Sequence, residues 1–175
     1  MPYNRRNYIN SIISLHGAKR VLVKRPFLSR HVFTLEKVYP NAKFIYIVRD
    51  GKAVAPSLIN KFANTPMGKS RALVSAADYW HGIVSFWDKQ VIPQLGNKVY
   101  KLRYEDFCAD PLSALNKIAD FCKFSSFQPK GIPAALKVTN DKRFSQLSLE
   151  QKNMLNAMLK DSLKANGYEL FDINI

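Results

Sequence analysis

Short apolar runs typical of buried strands alternate along the chain with stretches in which apolar residues recur at helical spacing. The first run, 20–23, is expected to end by Pro26, because proline cannot donate to a strand ladder. The second, 43–48, is rich in β-branched and aromatic residues and predicts a central parallel strand buried on both faces. A third short strand is predicted over 99–102.

Five helices are predicted between and after these strands, over 29–38, from the turn at 49–51 through about 62, over 71–91, from 111 to about 122, and from 149 to about 166. Asp110-Pro111 is an N-cap followed by proline at the first helical position, and Ser148 and Gln151 have capping-box spacing. Strands alternating with helices predict an α/β fold with a mainly parallel sheet. No linker or repeat interrupts the sequence, so we expect one domain, 1–175.

The chain is strongly basic, with a formal net charge of +14. Such a charge favours an anionic partner: nucleic acid, acidic lipid, acidic glycan or a polyphosphorylated nucleotide. A solvated basic face explains any single lysine equally well. No apolar run approaches the roughly 20 residues needed to span a bilayer, so we expect no membrane segment. Cys108 and Cys122 have neither metal-ligand nor redox spacing.

A polar cluster follows each predicted strand: Lys24-Arg25, Arg49-Asp50-Gly51 and Arg103-Tyr104-Glu105-Asp106. In parallel α/β sheets ligands bind at the carboxyl ends of the strands. A cation there, beside the free N–H groups of the following helix, is a natural phosphate site, and arginine can grip two phosphate oxygens. The pattern therefore predicts an anion site along this edge.

The segment FIYIVRDGKAVAPS (44–57), preceded by YPNAK (39–43), resembles the 3′-phosphate-binding segment of sulfotransferases that use 3′-phosphoadenosine-5′-phosphosulfate (PAPS). Its form is most similar to that of protein-tyrosine sulfotransferases and related bacterial enzymes. In that family a strand-end arginine and a serine eight residues later bind the 3′-phosphate. The resemblance implies these roles for Arg49 and Ser57.

Two flanking segments extend the resemblance. VLVKRP (21–26) resembles the strand that ends in a catalytic lysine, which implies that Lys24 reaches the sulfonate and its bridging oxygen, where a preplaced ammonium stabilises the leaving phosphate. VYKLRYEDF (99–107) resembles the segment whose tyrosine contacts adenine, here Tyr104. The alternatives are a solvated lysine and a tyrosine packed under the sheet. Lys142 and Arg143 lie in a region similar to the family's cofactor-covering loop, where a solvated loop is the alternative.

The resemblance implies a P-loop-NTPase-like three-layer α/β fold and an enzyme that transfers a sulfonate from PAPS to a hydroxyl or amine acceptor, with no metal and no nucleic acid. The family's glycine-rich 5′-phosphosulfate loop is absent from the sequence. We therefore expect a sulfotransferase domain, 1–175, that is incomplete at its N-terminus and inactive or incomplete as this chain. The catalytic base is also unaccounted for: His16, His31 and His81 are expected to be surface or hydrogen-bonded histidines.

Two further departures carry expectations. Pro56 falls in the helix that carries Ser57, so we expect that helix to begin near Ala53 and to hold Pro56 in or near its first turn. Residues 22–23 and 99–100 lack the cysteines of the luminal tyrosine-sulfating enzymes, which favours a cytoplasmic protein.

Two rival functions remain. A nucleotide kinase would need a Walker A string, which is absent. A basic nucleic-acid-binding or scaffold module explains the charge but not the strand–Arg–helix–Ser arrangement. PAP, the 3′,5′-bisphosphate product, should outcompete AMP only on a sulfotransferase.

Overall fold

A computed structural model describes Ser14 and residues 20–59, 68–125, 130–138 and 146–173. The chain divides into two compact units, Met1–Ala42 and Lys43–Ile175.

In the first unit the strand predicted over 20–23 is not formed. Residues 20–25 have no regular structure, and Val21, Leu22 and Val23 are 37, 84 and 47 % exposed. A strand needs a neighbour to accept and donate its backbone hydrogen bonds, and this segment forms no ladder within the described part of the chain. The prediction was therefore wrong, because the apolar residues alone do not supply a partner.

The rest of the first unit follows the predicted helical stripe. A 3₁₀ helix, Pro26–His31, leads into helix α1, Val32–Val38. Proline at the first position costs no hydrogen bond, because that N–H has no partner inside a helix. Val32 is buried, and the chain turns at Pro40.

In the second unit strands β1, Phe44–Val48, and β2, Val99–Arg103, pair in parallel, with Val48 opposite Arg103. This confirms both predicted strands and the parallel sheet. Tyr46 and Val48 are buried, and the Tyr46 ring stacks on Trp87 at 4.6 Å between centroids. Ile47 points to the opposite face and is 53 % exposed, so β1 is not buried on both faces as expected.

Helix α2, Gly51–Ser57, follows β1. It begins two residues earlier than expected, at Gly51, so Pro56 lies in its second turn as a buried interior proline. The early start has a local cause, because Asp50 caps the helix by accepting the Lys52 N–H. The helix was expected to end near residue 62, which lies outside the described residues.

The long helix predicted over 71–91 is confirmed. Helix α3, Gly68–Phe86, continues through a π-helical turn, Trp87–Val91, into helix α4, Ile92–Leu95. Its buried residues pack against α2 and against the last helix. The indole of Trp80 lies so close to Gly51 that a Cβ there would approach the ring to 2.8 Å. This contact fixes the beginning of α2 against α3.

Among the described residues after β2, the chain forms helices α5, Tyr104–Ala109, α6, Pro111–Cys122, and α7, Leu149–Ala165. The predicted caps are confirmed, since Asp110 accepts the Ser113 N–H and Ser148 forms the capping box with Gln151. Gly167 has a φ of 68°, a left-handed conformation that suits glycine, and it directs the chain from α7 back toward the strands.

Candidate functional site

The turns that leave β1 and β2 are neighbours, because Val48 and Arg103 are paired at the carboxyl ends of the two strands. The backbone N–H of Asp50, in the first turn, donates to Glu105 Oε1, in the second, at 3.1 Å. In the same two turns, the guanidinium carbon of Arg49 lies 4.9 Å from the centroid of the Tyr104 ring. Two of the residues predicted from the sequence are therefore in contact.

Arg49 and Tyr104 are both half-buried. A hydrogen bond holds the main chain of Arg49 in place, since its carbonyl oxygen accepts the Trp80 indole N–H at 3.1 Å. The neighbouring Cys108 thiol raises the pKa of the Tyr104 phenol most strongly and burial adds to this, while the Arg49 guanidinium opposes both. Tyr104 is therefore a neutral ring at neutral pH, with a cation on one face.

The first N–H groups of α2 are not free for a phosphate, contrary to the expectation from the sequence. The Asp50 carboxylate accepts the Lys52 N–H at 2.8 Å, and the Asp50 carbonyl accepts those of Ala53 and Val54 at 3.0 Å each. An aspartate one residue after the strand-end arginine is a good N-cap, and it satisfies these donors within the chain. Because these three N–H groups have partners within the chain, a side chain such as Arg49 is the better candidate to bind an anion at this edge.

Ser57 is the last residue of α2 and is exposed. Its hydroxyl donates to the carbonyl oxygen of Val54, in its own helix, at 2.7 Å. It lies six positions after Gly51 along the helix, a rise of roughly 9 Å. The structure thus places Ser57 at the opposite end of α2 from Arg49, and their shared role stays a prediction.

Lys24 belongs to the first unit, in the irregular segment 20–25, and its side chain is exposed. Its catalytic role stays a prediction. Lys142 and Arg143 lie outside the described residues. Of the histidines, His81 lies with its Nδ1 3.0 Å from Ser162 Oγ, the hydrogen-bonded arrangement expected for it.

A buried polar network beneath Arg49 was not predicted from the sequence. Glu105 Oε2 accepts the Tyr168 hydroxyl at 2.6 Å, and the Arg103 guanidinium lies 4.4 Å from the Tyr168 ring centroid. Lys52 is only 7 % exposed and donates from Nζ to the Glu169 carbonyl oxygen. The segment after Gly167 carried no sequence signal beyond the end of a helix, so its return to the strand ends could not be foreseen.

The same network acts on Asp50. Burial raises the pKa of its carboxyl group above the ordinary 3.8, the Lys52 backbone and ammonium groups lower it, and the Glu105 carboxylate raises it further. The Lys52 ammonium lies 3.5 Å from Asp50 Oδ2. The site thus contains two carboxylates and one buried cation below the Arg49–Tyr104 pair.

Within the described part of the chain, no cluster of three or more His, Cys, Asp or Glu residues could hold a metal ion. Nor is any helix described here both long and apolar enough to cross a membrane.

Comparison with known proteins identifies the family. A sequence model of the sulfotransferase family matches residues 3–129. A putative protein-tyrosine sulfotransferase from Caenorhabditis briggsae is 39 % identical over 56 residues, which are 31 % of this chain and 20 % of that protein. Protein-tyrosine sulfotransferase A from Caenorhabditis elegans is 24 % identical over 117 residues, 66 % of this chain and 31 % of that protein.

A third relative, protein-tyrosine sulfotransferase 2 from Gallus gallus, is 23 % identical over 120 residues, 67 % of this chain and 32 % of that protein. The chain therefore spans a third or less of the length of these three curated relatives.

Solved structures agree in fold. A sulfotransferase domain from the curacin biosynthetic pathway has a TM-score of 0.65 at 20 % identity, over 94 % of this chain and 68 % of that one. Sulfotransferase STF9 from Mycobacterium avium has a TM-score of 0.63 at 19 % identity, over 85 % of this chain and 42 % of that one. The fold is the P-loop-like α/β fold of these enzymes, and the chain belongs to the sulfotransferase family.

Proposed function

We propose that this chain carries the 3′-phosphate and adenine half of a PAPS site, in a protein that transfers a sulfonate from PAPS to a hydroxyl or amine acceptor. Arg49 and Ser57 bind the 3′-phosphate, Tyr104 contacts the adenine, and Lys24 acts at the leaving group. The observation that carries the proposal is the contact between Arg49 and Tyr104 at the carboxyl ends of two parallel strands.

The chemistry of the pair supports this assignment. The guanidinium forms charge-assisted hydrogen bonds to phosphate oxygens, and the adjacent neutral ring offers a flat apolar surface to a purine. Adenine and 3′-phosphate are joined through one ribose, so a cation and an aromatic ring in contact match their separation. The family match supplies the reaction class, since sulfotransferases require a sulfonate donor and an acceptor.

Ser57 needs a change of hydrogen bonding to take part. A phosphate oxygen accepts hydrogen bonds, so the Ser57 hydroxyl must turn away from the Val54 carbonyl oxygen to donate to it. Because Ser57 is exposed at the end of α2, this rotation requires only a new side-chain rotamer.

In the transfer itself, the acceptor oxygen or nitrogen forms a bond to sulfur as the bond from sulfur to the bridging phosphate oxygen breaks. PAP leaves with the added negative charge, which the Lys24 ammonium offsets, and the acceptor loses one proton. By analogy with phosphoryl transfer, we expect the attacking atom and the leaving oxygen to lie in line on opposite sides of the sulfur.

Binding of PAP and AMP tests the donor half. We expect Arg49→Ala to weaken PAP binding by about 1.5–3 kcal/mol, or roughly 10- to 150-fold, and to leave AMP binding nearly unchanged. Isothermal titration calorimetry with both nucleotides measures the ratio of affinities. Arg71→Ala is the matched control, because it removes an exposed arginine on α3, about 13 Å of helix axis from Trp80. A PAP:AMP ratio that Arg49→Ala leaves at the wild-type value contradicts the assignment.

Transfer by the 175-residue chain is a separate prediction. The sequence contains no glycine-rich loop to supply backbone N–H groups to the sulfonate and 5′-phosphate, and losing even one such donor costs on the order of a hundredfold in rate. We therefore expect no acceptor-dependent transfer from sulfur-35-labelled PAPS across a broad acceptor panel. Transfer above a Lys24→Ala control would mean that this chain builds its 5′ site from other residues.

The rival nucleic-acid-binding reading is disfavoured by the family match. It predicts that PAP and AMP bind with similar affinity, so the same titrations discriminate the two functions. A cytoplasmic location stays a prediction.

A further inference from the structure

The chain after α7 returns to the strand ends and closes over them. The Tyr168 hydroxyl lies 2.6 Å from Glu105 Oε2 and 3.2 Å from the Val48 carbonyl oxygen, and Tyr168 is only 6 % exposed. One tyrosine therefore contacts the last residue of β1 and the second residue after β2.

Glu105 joins the two turns. Its Oε1 accepts the Asp50 N–H at 3.1 Å while its Oε2 accepts the Tyr168 hydroxyl, so both carboxylate oxygens are engaged. Asp50 directly follows Arg49 in the chain, and Glu105 directly follows Tyr104. The Asp50–Glu105 hydrogen bond thus adds to the pairing of β1 with β2 a direct link between the main chains that carry Arg49 and Tyr104.

The segment that supplies Tyr168 is itself anchored at several points. Lys52 Nζ donates to the Glu169 carbonyl oxygen, and the Phe171 N–H donates to Asn156 Oδ1 at 2.7 Å while the Phe171 carbonyl accepts from Asn156 Nδ2 at 3.0 Å. Burial, and then the Glu105 hydrogen bond, raises the pKa of Tyr168 above its usual range, so the phenol remains a proton donor at neutral pH.

We propose that Glu105 and Tyr168 are positioning residues for the donor site, which hold Arg49 and Tyr104 at the separation needed to grip a 3′-phosphoadenosine group together. This inference rests on the proposed function. It makes the C-terminal segment a determinant of 3′-phosphate recognition through the contacts of Tyr168 with Glu105 and Val48.

Tyr168→Phe and Glu105→Gln test the inference. Tyr168→Phe removes the hydroxyl that restrains Glu105, and Glu105→Gln replaces one of the two acceptor oxygens by an NH₂ group that cannot accept. We expect each to lower the PAP:AMP affinity ratio at least about fivefold, since residues in one hydrogen-bond network are energetically coupled. Thermal melts and circular dichroism establish whether each variant is folded. If one variant does not fold, the other alone tests the inference.

A double-mutant cycle separates positioning from general loosening. In an Arg49→Ala background, Tyr168→Phe should change the PAP:AMP ratio less than twofold, because the residue being positioned is gone. Tyr46→Phe is the control: it deletes a buried hydroxyl on β1 that has no hydrogen-bond partner in the described structure, and it should leave the ratio at the wild-type value.

The outcomes test the proposed function and the positioning role separately. A wild-type chain that binds PAP no better than AMP overturns the proposed function, and the positioning role falls with it. A wild-type chain that prefers PAP, with the preference lost in Arg49→Ala but retained in both Tyr168→Phe and Glu105→Gln, leaves the proposed function standing and overturns the positioning role. An equal effect of Tyr168→Phe in the wild-type and Arg49→Ala backgrounds overturns it as well.

Discussion

Arg49 and Arg103 occupy comparable places in the sheet and have different surroundings. Arg49 follows β1 directly, and Arg103 ends β2, paired with the last residue of β1. Each guanidinium lies on a tyrosine ring, Arg49 at 4.9 Å from Tyr104 and Arg103 at 4.4 Å from Tyr168. Tyr104 is half-buried at the edge of the sheet, whereas Tyr168 is buried within the returning C-terminal segment.

The difference teaches that two arginines at the same edge of a sheet can have different neighbours, which position alone does not predict. Arg103 lies against the residue that follows α7, since a Cβ on Gly167 would be 3.2 Å from its Nη1, and its guanidinium contacts the Tyr168 ring. These contacts associate Arg103 with the packing of the C-terminal segment, whereas the proposed 3′-phosphate ligand is Arg49.

Replacement of Arg103 tests most directly whether the two arginines have different roles. Arg103→Ala removes the cation from the Tyr168 face and the packing of its methylene stem, so we expect the free energy of unfolding to fall by about 1–2 kcal/mol. Arg49→Ala should show the opposite profile, with a large loss of PAP affinity and little loss of stability. Urea denaturation measures the stabilities, and Arg103→Met, which keeps an apolar stem, should lose less.

The division between the two arginines fails if Arg103→Ala retains full stability and abolishes the preference for PAP over AMP. In that case Arg103 would be the phosphate ligand.

A smaller effect concerns the acid beside Arg49. Burial raises the pKa of Asp50 above 3.8, so the folded state binds this proton more tightly than the unfolded state does. The contribution of Asp50 to stability is therefore least favourable above its folded pKa, and it improves as the pH falls through that value toward 3.8. Asp50→Asn keeps a good N-cap and removes the titration.

We expect Asp50→Asn to stabilise the chain relative to wild type near neutral pH, and this advantage to shrink as the pH falls toward 4. Urea midpoints of both proteins at pH 4, 5 and 6 measure it, and the other carboxylates cancel in the difference. An advantage that grows on acidification would mean that the Lys52 contacts, not burial, dominate the pKa of Asp50.

Two apolar runs show how far the sequence predicts the fold. Residues 44–48 form β1 because β2 lies alongside and supplies a ladder, while 20–23 have similar apolar character and form no strand. Strand propensity can be read from one segment, whereas pairing depends on a second segment distant in sequence. The helices were predicted better because their caps are local: the Asp110 and Ser148 caps are formed as expected.

The site divides in the same way. The cluster at the strand ends was predictable, since parallel strands bring their carboxyl ends together, and Arg49 and Tyr104 are in contact. The Glu105–Tyr168 hydrogen bond was not, because 63 residues separate its partners and neither residue type announces it. The start of α2 was predicted two residues too late. Asp50 caps the helix before the expected position, and its carbonyl oxygen accepts N–H groups of the first turn.

The central claim is that this chain binds the 3′-phosphate half of the donor, and phosphorus-31 NMR of PAP tests it most directly, because the two phosphates give separate resonances. On titration with the wild-type chain we expect the 3′-phosphate resonance to shift and broaden more than the 5′-phosphate resonance, and Arg49→Ala to abolish that difference. Equal perturbation of both resonances, or a perturbation of the 3′-phosphate that Arg49→Ala leaves intact, would contradict the account.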